Sequence, residues 1–180
     1  MGTIYLFLID GFEETEALAT VDVLRRAKLQ VKTVSLTESC FVTGSHQIIV
    51  QADAMFNDMT FNDAEMFIIP GGTPKFAEHT GLRNAVQQMA DNNKPLAAIC
   101  AAPMVFGIMG LLKGKKATCY PGFEKYLEGA NHTGAFVEKD GNIITAKGPA
   151  AALPFAFAIV EELCGRPTAT EIRTAMLYQD

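Results

Sequence analysis

The sequence has no excess of basic charge. Its 180 residues carry 15 Lys plus Arg against 20 Asp plus Glu, a formal net charge of −5. A protein built around a phosphate backbone needs the opposite balance. The only short basic cluster, Lys113, Lys115 and Lys116, is expected on a loop, so no nucleic acid partner is expected. Long apolar runs are missing as well. The longest early one, residues 4–9, falls far short of the roughly 20 residues that cross a bilayer, and no membrane partner is expected. That run has no basic segment before it and no small-residue cleavage site, so no export signal is expected. Leu6 stands where a myristoylation signal has Ser or Thr. Cys40, Cys100, Cys119 and Cys164 form no C-x-x-C pair and have no His at metal-finger spacing. Reduced thiols, a cytoplasmic address and no metal follow as expectations. There is no G-x-G-x-x-G, no phosphate loop of the GK[ST] type and no G-x-S-x-G, which leaves dinucleotide binding and serine hydrolysis without support and no cofactor implied. No repeat, low-complexity tract or composition shift marks a linker, and one domain over residues 1–180 is expected.

What is present is an alternation of apolar strand-length runs with helix-period segments. Apolar residues make up 49% and charged residues 19%, enough to build a core without a disulfide or metal staple. Residues 3–9 are continuously apolar, as a strand covered on both faces must be, and end at the turn signal Asp10-Gly11. Residues 13–28 place Ala17, Leu18, Val21, Leu24 and Ala27 on one helical face, with acids at the start and Arg25, Arg26 and Lys28 at the end, matching the helix dipole. Residues 31–36 read as a strand, completing a βαβ unit. Further on, residues 47–52 predict an edge hairpin strand, 65–69 a strand stopped by Pro70-Gly71-Gly72, 82–92 a helix, and 95–99 a strand. Pro103 opens a helix, residues 137–145 predict a hairpin with Asp140-Gly141 at its tip, and residues 150–163 and 170–178 read as helices. The fold class is α/β: a three-layer sandwich with a mainly parallel sheet and helices on both faces.

In such sheets ligands bind at the carboxyl ends of strands, and three such ends carry unusual residues. Cys100, in Ala97-Ala98-Ile99-Cys100-Ala101-Ala102-Pro103, stands between a strand and a helix with small neighbours, the placement of a nucleophile elbow. A thiol there feels a helix N-terminus, which is expected to lower its pKa, and the Ala101 amide is available to an oxyanion. The plain alternative is that a cysteine is a small core residue. After the first strand come Glu13, Glu14 and Glu16. They also read simply as an acidic first helical turn. Glu16 is set apart by its apolar surroundings, which would raise its pKa and let it donate a hydrogen bond to a thiolate. Gly71-Gly72 offers bare amides to an anion, or merely a turn. Of the histidines, His79 reads as a surface loop residue.

With these turns in view, the chain resembles the ThiJ/PfpI superfamily, in the branch of the Parkinson-disease-associated protein and its bacterial relatives. The matching pieces are Gly11-Phe12-Glu13-Glu14-Thr15-Glu16, Val21 through Ala27, Pro70-Gly71-Gly72, Ala97 through Pro103, Val137 through Gly141 and Gly148-Pro149. The resemblance implies a flavodoxin-like fold and a homodimer. It implies Cys100 as nucleophile, Glu16 as its protonated partner, Glu13 as a second carboxylate, and Gly71, Gly72 and Ala101 as an oxyanion site. His46 falls where this branch presents a polar or basic residue from the other subunit. The implied activities are glutathione-independent conversion of methylglyoxal to lactate, and deglycation, with a small reactive carbonyl as substrate. Redox sensing by oxidation of Cys100 to a sulfinic acid, with chaperone-like behaviour, is the alternative. Ala101 stands where protease-type relatives carry His, which disfavours an intracellular cysteine peptidase, and the thiazole monophosphate biosynthesis label is inherited naming. The family's S-R-G-P-G-T reads here as Ala146-Lys147-Gly148-Pro149-Ala150-Ala151. Counting back from Val137 puts Gly129 where some members have an active-region His.

Overall fold

Every residue of the first strand, β1 (Thr3–Leu8), is buried, which a strand achieves only with layers packed on both of its faces. In the computed structural model, which describes residues 2–179, β1 lies inside a seven-stranded sheet. Met1 and Asp180, the ends of the domain expected over 1–180, lie outside the described residues. The chain continues through α1 (Glu14–Arg26), β2 (Val31–Ser35), β3 (Phe41–Thr43), β4 (Ile49–Gln51), β5 (Ala54–Met55), β6 (Ala64–Ile69), α2 (Thr80–Asp91), β7 (Leu96–Ile99) and α3 (Pro103–Ile108). It ends with β8 (Lys116–Ala117), β9 (Asn131–His132), β10 (Val137–Asp140), β11 (Ile143–Ala146), α4 (Ala152–Cys164) and α5 (Arg166–Ala175).

The sheet order is β10-β11-β7-β6-β1-β2-β5, parallel throughout except for the β10–β11 hairpin. From β1 the chain crosses to β2 in one direction, and from β6 it crosses to β7 in the other. Right-handed crossovers therefore place α1 and α2 on opposite faces. Helix α4 packs beside α1, with α5 behind it. The reversal of direction between β1 and β6 opens a crevice at their carboxyl ends, and β7 delivers a third loop beside it.

Three local expectations shift. The hairpin of β3 and β4 is a separate two-stranded sheet, and β5 holds the edge. Its backbone is drawn off the main sheet by the loop after β1: Gly11 N–H donates to Thr43 C=O, Thr43 N–H to the Asp10 carboxylate, and Ser45 N–H to Phe12 C=O. In the β10–β11 hairpin Asp140 pairs with Ile143, so Gly141-Asn142 forms the loop, with Gly141 at φ +61°, the Gly-first arrangement of a type II′ turn. Helix α5 begins at Arg166 rather than 170, because Gly165 at φ +84° ends α4 and Pro167 sits in the next first turn. Leu177 at φ +56° then keeps Tyr178 out of the helix.

Candidate active site

Cys100 follows β7 directly and takes φ +67°, a left-handed conformation that a non-glycine residue holds only under strain. The strain is sustained by the sheet: Cys100 N–H donates to Ala146 C=O at 2.9 Å, and Cys100 C=O accepts from Tyr120 N–H at 2.8 Å. Pro103 at the start of α3 fixes the exit direction. The thiol is buried, 8% exposed. The amides of Ala101 and Gly72 hydrogen-bond to it and favour the thiolate, but burial and the neighbouring Glu16 carboxylate outweigh them, and the thiol is pushed up to about 12. The expected lowering by a helix N-terminus is thus reversed; α3 has only six residues, and burial of the sulfur outweighs the field at its start.

Glu16 is wholly buried on α1. Oε2 accepts from Gly71 N–H at 2.7 Å, while Oε1 has no hydrogen-bond partner among the described residues. Burial raises its pKa from 4.5 to about 7 against the opposing hydrogen bonds from Gly71 and Cys100. Thiol and carboxyl therefore compete for one negative charge and titrate as a pair. The approach depends on Gly71. A Cβ there would lie 2.5 Å from Cys100 Cβ, 2.8 Å from Glu16 Oε2 and 3.0 Å from Cys100 Sγ. Gly72, at φ +96°, turns beside the loop after β1, where Glu13 N–H donates to Gly71 C=O at 3.0 Å. Glu13 caps α1 through Oε2, which accepts from Glu16 N–H at 2.7 Å, and its charge adds to the upward push on Glu16. The crevice thus brings Cys100, Glu16, Glu13, Gly71, Gly72 and Ala101 together.

His46 lies at the outer edge of this group. Its Nδ1 is 2.8 Å from Glu14 Oε2 and 4.0 Å from Glu13 Oε1, and its backbone N–H donates to Glu14 Oε1 at 2.7 Å. Sequence reasoning passed over Glu14 as one acid among three, yet it is buried. Burial alone would raise its pKa, but hydrogen bonds from His46, its own amide and Ser45 hold it down at about 2. The same bond raises His46. The signal lay in Gly44, where a Cβ would fall 2.2 Å from Glu14 Oε1. Ligand atoms of Glu13, Glu14 and His46 lie within 4.8 Å of one another, spacing that suits a cation. Both Glu14 oxygens already accept hydrogen bonds from His46 or Ser45.

Tyr120 is a second omission. Its backbone N–H is bonded to Cys100 C=O and its ring lies against Gly148, whereas Gly129, picked out by counting, pairs its carbonyl with Gly114 N–H and abuts Lys113. His79 is no mere surface residue: Nδ1 accepts from Leu82 N–H and caps α2.

Fold and site together define a flavodoxin-like α/β protein with a cysteine on a strand-to-helix elbow and a buried acid beside it. Residues 2–162 match the DJ-1/PfpI family, and the chain belongs to that family. It is 40% identical over 174 residues to protein DJ-1 homolog B of Arabidopsis thaliana, covering 94% of this chain and 40% of that one. The chain spans less than half the length of that relative and of its homolog A. Among solved structures, a cysteine-to-alanine mutant of a DJ-1 superfamily protein from Salmonella typhimurium superposes with a TM-score of 0.93 at 29% identity, covering all of both chains. Oxidized DJ-1 of Toxoplasma gondii superposes with a TM-score of 0.93 at 28% identity, again over the whole of both. No helix among the described residues is long and apolar enough to cross a membrane.

Proposed function

We propose that the protein converts small 2-oxoaldehydes to 2-hydroxy acids without glutathione, with Cys100 as nucleophile and Glu16 as proton carrier. The observation that carries this reading is the contact of one thiol with one buried carboxyl whose pKa is raised to about 7, a value suited to moving protons at neutral pH. The sulfur gives its proton to ionised Glu16 and adds to the aldehyde carbon, and the carbonyl electron pair becomes an oxyanion facing the Gly72 and Ala101 amides. Protonation gives a hemithioacetal. Glu16 then takes the proton from that carbon and returns one to the neighbouring carbon, so the first carbon is oxidised and the second reduced within one molecule. The resulting thioester is cleaved by water, which releases the acid and restores the thiol. Deglycation starts from an aldehyde already joined to an amine or thiol: the sulfur displaces that group, which leaves carrying the thiol proton, and the same later steps follow. This chemistry needs a reduced Cys100, which fits a cytoplasmic setting.

The test is lactate formation from methylglyoxal in amine-free buffer, with Cys100→Ser and Glu16→Gln alongside. Both variants are expected to fall by at least about a hundredfold, the scale of a lost acid–base or nucleophilic group. Turnover surviving in Cys100→Ser would end the proposal.

A second reading, oxidation sensing with chaperone-like behaviour, is favoured by the unpartnered Glu16 Oε1. A protonated carboxyl there can donate to an oxygen added to the sulfur. Intact-mass measurement after mild peroxide separates it: two oxygens gained at Cys100 before Cys40, Cys119 or Cys164 supports sensing, and indiscriminate oxidation counts against it.

A further inference from the structure

A cavity whose walls are hydrogen-bonded to the backbone of the elbow extends the carbonyl reading, on which this inference rests, to a substrate class. The cavity has a volume of about 250 Å³ and is walled by Tyr120, Pro121, Phe136, Gly148 and Pro149, with Lys147 among its lining residues. Backbone hydrogen bonds tie these walls to the nucleophile: Tyr120 N–H donates to Cys100 C=O, Cys100 N–H to Ala146 C=O, and Lys147 N–H to Phe136 C=O. Lys147 Nζ is held 3.4 Å from Gly134 C=O. A Cβ on Gly148 would lie 3.1 Å from Tyr120 Cδ2, so the glycine lets that ring approach the backbone closely.

The rings are left largely in water, Tyr120 46% and Phe136 55% exposed. Large apolar surface next to a reactive group gains free energy when an apolar group covers it. The thiol's own surroundings are polar and filled by Glu16, Glu13 and the Gly71–Gly72 backbone, so the part of a substrate that does not react is left to the aromatic cavity. An apolar cavity of about 150 Å³ takes up benzene, so this one has room for a phenyl or branched alkyl group, with edge or offset contacts to the two rings. The methyl of methylglyoxal would leave most of it to water.

We infer that the preferred substrates are 2-oxoaldehydes carrying an aromatic or branched alkyl group, held by Tyr120, Phe136 and Pro149 while Cys100 attacks the aldehyde. The bond changes are those given above, with the held group unaltered.

The experiment follows phenylglyoxal to mandelate and methylglyoxal to lactate in wild type, Phe136→Ala and Tyr120→Ala. Wild type is expected to show kcat/KM about tenfold or more higher for phenylglyoxal, the range one apolar subsite supplies. Each variant is expected to bring that ratio toward one, chiefly through KM for phenylglyoxal. Equal kcat/KM for the two aldehydes in wild type, or a ratio untouched in both variants, overturns the inference and leaves the carbonyl reading standing. Should neither aldehyde turn over, the carbonyl reading itself fails, and the subsite is read by binding to Cys100→Ala protein. Mandelate shifting the ring resonances of Tyr120 and Phe136 where lactate does not supports the subsite. No shift overturns it.

Discussion

Cys100 and Glu16 are most informative as a pair. Glu16 keeps its proton to about pH 7 in the folded protein, and once it ionises its charge works against the thiolate. Iodoacetamide alkylation of Cys100 is therefore expected to show an inflection near pH 7, and Glu16→Gln should leave a single rising limb. A wild-type profile without that inflection would mean the two groups titrate independently. The raised carboxyl also has a thermodynamic sign. The unfolded chain releases this proton above 4.5 while the fold retains it, so this group's contribution is complete below 4.5 and is lost between 4.5 and about 7. Gly71 sets how closely the two groups approach. Gly71→Ala would drive a Cβ to 2.5 Å from Cys100 Cβ, an overpacking expected to cost about 1–3 kcal/mol. Thermal melts check this, and an unchanged midpoint would show that the crevice has slack.

Among the elements, the β3–β4 hairpin and the start of α1 form one electrostatic unit through His46 and Glu14. The depressed Glu14 contributes stability that is present above 4.5 and lost as pH falls through about 2. The raised His46 contributes stability that is present below 6.5 and lost as pH rises through its higher folded value. Both are complete between 4.5 and 6.5. His46→Ala is therefore expected to lower the melting midpoint most near pH 5.5 and least near pH 9. A difference constant across that range would assign His46 a packing role only. The hairpin also explains why residues 47–52 were legible as β structure but not as a separate sheet. Strand propensity is local, whereas the hydrogen bonds from Gly11, Thr43 and Ser45 that detach it join residues more than thirty positions apart.

On the scale of the whole molecule, Leu18 on α1 and Phe41, Ile48 and Ile49 on the hairpin are 39%, 57%, 52% and 65% exposed. A second copy of the chain covering this patch would supply the homodimer that the resemblance implies. Sedimentation velocity is expected to report twice the 19.5 kDa chain mass, with Ile49→Glu shifting the population toward monomer. A wild-type chain that remains monomeric at tens of micromolar would refute the dimer.

Periodicity, turn residues and charge placement were sufficient for the alternating elements, the parallel sheet and the strand-end motifs around Cys100, Glu16 and Gly71-Gly72, because each depends on neighbours a few positions away. The reversal between β1 and β6 that opens the crevice belongs to the assembled sheet, as do the burial of Glu14, the position of Tyr120 beside the elbow and the balance that raises the thiol. These depend on groups distant in sequence and on exclusion of water. A cysteine at a helix start reads as acidified from local rules. Only the packed interior, where burial of the sulfur and the neighbouring Glu16 outweigh the helix end, decides that it is not.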